Sequence, residues 1–156
     1  MKKLLIIGYV WPETNSSAAG SRMMQLIALF LQGNWHITFA SPAAAGAHKN
    51  DLKQWGVNEV AIELNNCSFD EFVSQLQPDI VLFDRFMMEE QFGWRVEKYC
   101  PDASRVLDTE DLHFLRQARH QAIKQNREMT ISDLHSEHAI REVASILRCD
   151  LTLLVS

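Results

Sequence analysis

Short, continuous apolar runs alternate with longer amphipathic stretches along the whole of this 156-residue chain, and that alternation admits only a narrow class of folds. The clearest run, Asp79-Ile80-Val81-Leu82-Phe83-Asp84, follows Pro78 directly. It is apolar at consecutive positions, as a strand covered on both faces must be. Lys3–Gly8, His36–Ser41, Val60–Leu64, Arg105–Leu107 and Leu151–Val155 read as the other five strands. Between them the spacing predicts helices over Ser21–Gln32 (closed by Gly33), around Asn50–Trp55, and over Ser68–Leu76, Glu89–Tyr99, Asp111–Arg127 and Ser132–Arg148. Ser68 and Ser132 stand where an N-cap is wanted, and Asp70 and Glu71 complement the helix dipole behind Ser68.

Parallel neighbours need a crossover, so strands that alternate with helices imply an α/β fold: a Rossmann-like parallel sheet of about six strands with helices on both faces. Right-handed crossovers and two three-strand halves give the order 3-2-1-4-5-6. Ligands of such sheets sit outside the carboxyl ends of the strands, near the switch beside strand one. That places the polar segments Tyr9–Arg22, Asp84–Gln91 and Asp108–His113 at the expected site.

Composition narrows the partners. At 47% hydrophobic, the chain fills one core and is short for two, so residues 1–156 are expected to form a single domain. Lys and Arg number 15 against 20 Asp and Glu, a net charge of −5 that argues against nucleic acid or an anionic membrane as the main partner. Cys67, Cys100 and Cys149 show no CxxC spacing, which fits reduced thiols in a cytoplasmic protein rather than a disulfide framework or thiolate metal site. The apolar run behind Lys2 and Lys3 stops at Gly8 with no small-residue cleavage site after it, so a first strand fits better than a signal peptide. No stretch approaches the ~20 apolar residues of a membrane span.

Three segments carry candidate chemistry. The first loop, Gly8 to Arg22, is long for a strand-to-helix turn and ends in small residues at a helix N-terminus, where free N–H groups suit an anion. Ser17 and Gly20 are candidate binding residues there, and Arg22 could add a bidentate contact; the plain alternative is a capped turn with Arg22 in solvent. Neither a GxGxxG fingerprint nor a P-loop is present. Asp84 and Arg85, at the end of strand four, pair a carboxylate with a guanidinium suited to orienting hydroxyls, or form a structural ion pair or cap. Glu89 and Glu90 read as first-turn helix acids.

Asp108-Thr109-Glu110-Asp111-Leu112-His113 is the densest titratable cluster. Acids beside a histidine at a strand end can supply a general base or hold a sugar hydroxyl, while Asp108 or Thr109 could equally cap the next helix. Arg116, Arg119 and His120 read as a solvated stripe, with Arg116 within reach of the pocket. His135 and His138 lie three apart on an expected helix, but without HExxH or a third ligand no metal site is predicted.

These residues resemble a known family. Lys3–Ser41, with its hydrophobic strand, Tyr-x-x-Pro, small-residue loop and Leu-rich helix, is similar to the opening of group 1 (family 4-like) glycosyltransferases. Asp84 to Trp94, Val106 to Arg116 and Leu151–Ser156 are also similar to that family's N-terminal domain, most specifically the Leu-Asp-Thr-x-Asp-Leu-His-Phe-Leu-Arg run. The resemblance implies the N-terminal, acceptor-side half of a GT-B enzyme, whose other half binds a nucleotide-sugar donor. It therefore implies a longer protein than residues 1–156. It further implies sugar transfer to a carbohydrate or other hydroxyl acceptor, no metal and no cofactor, with His113 and then Asp111 as the catalytic counterparts. Ser17, Gly20, Arg22, Asp84, Arg85 and Asp108 are the binding set. Where many relatives carry Gly-Gly in the first loop, this chain has Ser16-Ser17-Ala18-Ala19-Gly20, and His36 inherits no role because Trp35 precedes it where Gly is usual. A homodimer and peripheral membrane association are compatible with this reading. The alternatives are a stand-alone, non-catalytic Rossmann-like binding or assembly module and, more weakly, a nucleotide-dependent oxidoreductase.

Overall fold

The computed structural model describes residues 1–155; Ser156, the last residue of the expected domain and of the closing stretch of the resemblance, lies outside the described residues. Strands β1 (Lys3–Ile7), β2 (His36–Ser41), β3 (Asn58–Ala61), β4 (Ile80–Asp84), β5 (Ser104–Asp108) and β6 (Leu151–Leu153) form one sheet in the order β3-β2-β1-β4-β5-β6. Every pairing is parallel, and the order is the expected one. Helices α1 (Ala18–Gln32), α2 (Ser68–Leu76), α3 (Phe86–Tyr99), α4 (His113–Lys124) and α5 (Glu137–Arg148) make the connections, with 3-10 turns at Leu52–Trp55 and Ile131–Leu134.

Strand alternation sorts the side chains into two layers. Leu4, Ile6, Ile37, Phe39, Leu82 and Val106 pack under Met23, Met24 and Ile27 of α1. Leu5, Ile7, Val81, Phe83 and Leu107 pack on the opposite face with Val73 of α2 and Phe92 and Val96 of α3. Each buried side chain of this size is worth about 1.5–3 kcal/mol, so both layers hold the strand ends firmly in register. The same alternation sends Asp84 and Asp108, two residues after Leu82 and Val106, toward the α1 face.

Local boundaries differ from expectation for identifiable reasons. The helix expected over Ser132–Arg148 is broken: Thr130 and Asp133 close a capping box around the 3-10 turn, and Ser136, not Ser132, caps α5 by accepting from the Ala139 N–H at 3.1 Å. His135 falls in the break, so it and His138 do not share a helix. β3 starts at Asn58, earlier than Val60, because its ladder partner runs from Thr38. β6 ends at Leu153 instead of Val155.

α5 leaves an apolar stripe outward. Glu142 and Ser145 are buried, whereas Ile140 and Leu147 are 72% and 79% exposed and Val143 is exposed with them. The inner face combines Ala139 and Ile146 with these polar residues, and at its margins Arg148 pairs with Glu89 and Arg141 with Glu90. α3 begins earlier than expected, at Phe86; Glu89 stands in its first turn as a dipole-answering acid, Glu90 follows it, and both are also ion-paired to α5.

Candidate functional site

The first loop is fixed by packing. Trp11 is buried against Phe39 and donates its indole N–H to the Ala43 carbonyl at 2.8 Å, while Asn50 bonds the Pro12 carbonyl and the Thr14 N–H. Ser17 caps α1, its Oγ accepting from the Gly20 N–H at 3.0 Å. The helix therefore begins at Ala18, ahead of the expected start at Ser21. Gly20 is required by close packing: a Cβ there would lie 2.4 Å from the Glu13 carbonyl oxygen. Both residues stand at the strand-end edge as expected, but cap and loop packing already engage them.

Arg22, one turn further along α1, reaches across the sheet to Asp108 and forms an ion pair in which the carboxylate is buried. Asp108 also accepts from the Glu110 N–H at 3.2 Å and caps no helix. Asp84 is its direct neighbour in the β4–β5 register, so two carboxylates stand side by side at adjacent strand ends. Asp84 accepts from the Tyr9 N–H at 3.2 Å, which ties the loop after β1 to β4 across the topological switch. Burial raises its pKa from 3.8 to about 6, a rise that Arg85 and the Tyr9 N–H oppose and that Asp108 and Glu110 reinforce.

Arg85 stacks over the Tyr9 ring at 4.8 Å, with its Nε 3.7 Å from Asp84 and 4.0 Å from Glu110. These separations exceed a hydrogen bond, and the buried Nε has no hydrogen-bond partner among the described residues. Its backbone sits at φ 75, ψ 154, a region otherwise left to glycine, and Glu110 also has positive φ. Such strain costs about 1–3 kcal/mol per residue and concentrates at functional sites. The Arg85 N–H bonds the Asp108 carbonyl at 2.8 Å, which holds the strained corner closed.

Arg22, Asp84, Arg85 and Asp108 are thus brought together. Asp111 and His113 sit one step along the same edge, at the start of α4. Neither Asp108 nor Thr109 caps that helix; Thr109 bonds the Leu153 carbonyl instead. The acceptor at the helix end is Glu142 of α5, which takes the backbone N–H groups of His113 and Phe114 at 3.1 and 2.9 Å and lies 3.2 Å from His113 Nδ1. Its sequence distance from His113 left no local pattern to read. Tyr9, Phe86 and Glu110 lie within the three segments singled out by the sequence, though not among the candidate site residues named there. His113 lines a groove of 380 Å³ with Phe86, Met87, Arg116, His120 and His138; Arg116 and His120 are exposed, as a solvated stripe would be, and border it.

Glu110, Asp111 and His113 bring potential metal-ligating atoms within 4.8 Å of one another. Arg116 pairs with Asp111 at 3.0 Å, Glu142 engages His113 and Arg85 stands 4.0 Å from Glu110, while the buried Oδ1 of Asp111 has no hydrogen-bond partner among the described residues. Arg85 and Arg116 thus set positive charge beside two of the three candidate ligands. No helix among the described residues is long and apolar enough to cross a membrane.

No family model matches the chain, and no curated protein matches it. Among solved structures, the chain is similar to an alpha-glucosyltransferase in complex with UDP and a 13-mer DNA containing a HMU base. The TM-score is 0.55 at 10% sequence identity, over 96% of this chain. The chain spans 36% of that protein's length. The expectation of no nucleic-acid partner rested on net charge and gains nothing from this DNA-bound neighbour. At this identity the likeness is one of fold: a Rossmann-like α/β sheet of the kind a glycosyltransferase uses.

Proposed function

We propose that this chain is the acceptor-side lobe of a GT-B glycosyltransferase, moving a sugar from a nucleotide-sugar donor to a hydroxyl acceptor. One observation carries the reading: the buried Asp84–Asp108 pair, faced by Arg22 and Arg85, at the carboxyl ends of β4 and β5 beside a long, packed first loop. Acid–guanidinium clusters of this kind offer acceptors and donors to several hydroxyls at once. The unbonded Arg85 Nε and the carboxyl of Asp84 are the groups assigned to the ligand. Ser17 and Gly20 form the adjoining wall, and Asp111 and His113 orient the reacting hydroxyl. The fold likeness to a glycosyltransferase and the Leu107–Arg116 resemblance both support it.

In this reading a second Rossmann-like lobe holds the donor, and catalysis needs donor and acceptor held together. Titration of residues 1–156 with a glycoside panel, followed by amide NMR, is expected to move the signals of Tyr9, Arg85 and His113. Nucleotide sugars alone are expected to bind weakly and not to turn over. Robust sugar transfer by these residues alone, or glycoside shifts confined to other surfaces, overturns the proposal.

A further inference from the structure

Glu142 is wholly buried in α5, a position a carboxylate occupies only when its partners answer it. Burial pushes its pKa up, but the His113 ring and the N–H groups of Phe114 and His113 outweigh that and hold it below the ordinary range. The carboxylate is therefore ionised and can only accept hydrogen bonds. Nδ1 of His113, 3.2 Å from its Oε1, must then carry the proton. In the neutral form of the ring the other nitrogen, Nε2, then has a free lone pair. Three further groups bear on this imidazole. Asp111 lies 3.7 Å from Nδ1 and is itself held by Arg116, the Phe86 ring packs edge-on at 5.7 Å, and His138 lies beyond Phe86.

We infer that Glu142 is a positioning residue: it fixes His113 as the Nδ1–H tautomer, so that Nε2 accepts a hydrogen bond from a ligand hydroxyl in the groove beside Phe86. The hydroxyl as ligand rests on the proposed function; the tautomer does not. A cap for α4 alone would need only an acceptor for two backbone N–H groups and would leave the ring free to choose.

Long-range proton–nitrogen NMR of the imidazoles at pH 9 tests this on the chain without any ligand. The wild type is expected to show His113 protonated on Nδ1 and bare on Nε2. In Glu142→Ala, the Nδ1–H form is expected to lose its dominance. A wild-type ring protonated on Nε2 overturns the inference, as does an unchanged Nδ1–H ring in a folded Glu142→Ala variant. The wild-type spectrum decides even if the variant does not fold. Failure to bind any glycoside would instead remove the proposed function and leave this tautomer result standing.

Discussion

Replacing Asp84 with asparagine should stabilise the protein, and the gain should depend on pH in a defined way. The folded carboxyl holds its proton up to about pH 6, whereas an ordinary one releases it near 3.8. Between those values the native state binds more protons than the unfolded chain, so stability falls as pH rises across that window. The cost is absent below the lower value and complete above the upper one, where it amounts to about 3 kcal/mol. An asparagine in its place would keep an oxygen for the Tyr9 N–H without any ionisation. The advantage of Asp84→Asn over wild type should therefore open from about 1 kcal/mol at pH 4.5 to about 3 kcal/mol at pH 8. Urea unfolding followed by tryptophan fluorescence at several pH values measures it, with equal m-values confirming that only stability has changed. A pH-independent gap, or a variant less stable than wild type at pH 8, would refute the reasoning.

The opposite sign is expected at the neighbouring acid. Arg22→Met strands the buried Asp108 carboxylate and should destabilise by about 3 kcal/mol at pH 7, the low end for a broken buried pair because Arg22 is partly exposed; urea unfolding reads it. At the strained corner, Arg85→Gly and Arg85→Ala both lose the guanidinium, but only glycine relaxes the positive φ. Arg85→Gly should be more stable than Arg85→Ala by about 1 kcal/mol, and equal thermal midpoints would remove the strain argument. On the outer face of α5, Leu147→Lys should leave stability within about 0.5 kcal/mol in denaturant, whereas Phe92→Ala in the core should cost about 3–5 kcal/mol.

Strand order and the place of the candidate site at the strand ends were legible because they follow from local pattern. Apolar runs such as Ile80–Phe83 identify covered strands, and crossover handedness then leaves few topologies. Asp84 and Asp108 were visible as polar residues ending such runs. Their partners were less so: Arg22 meets Asp108 across 86 residues, and Glu142 meets His113 across 29. Ser17, by contrast, reveals itself as a cap only once the helix is known to start at Ala18. The break before α5 was missed because the pair Thr130 and Asp133 competes locally with the helix that Ser132 would have begun. α5 itself reads as an ordinary amphipathic helix, and nothing in its sequence says that Glu142 and Ser145 face inward while Ile140, Val143 and Leu147 stay exposed.

The position of Asp84 bears on whether the cluster is a binding site or only a strut. As a strut, the residue needs one acceptor oxygen for the Tyr9 N–H, and asparagine supplies that with no ionisation cost. Aspartate at this point, beside a second buried carboxylate and ahead of a residue in a glycine-like conformation, accumulates desolvation, like-charge and backbone penalties together. Arg22 neutralises one carboxylate closely, but Arg85 stands off the other and leaves its Nε unbonded. A fold tuned only for stability would have removed each of these costs by a single substitution. Their coincidence at the strand ends, where such sheets place ligands, accords with the proposed function. Under the proposed function Asp84→Asn is expected to gain stability and lose glycoside binding together, and a variant that gained the first without losing the second would make the cluster a strut after all.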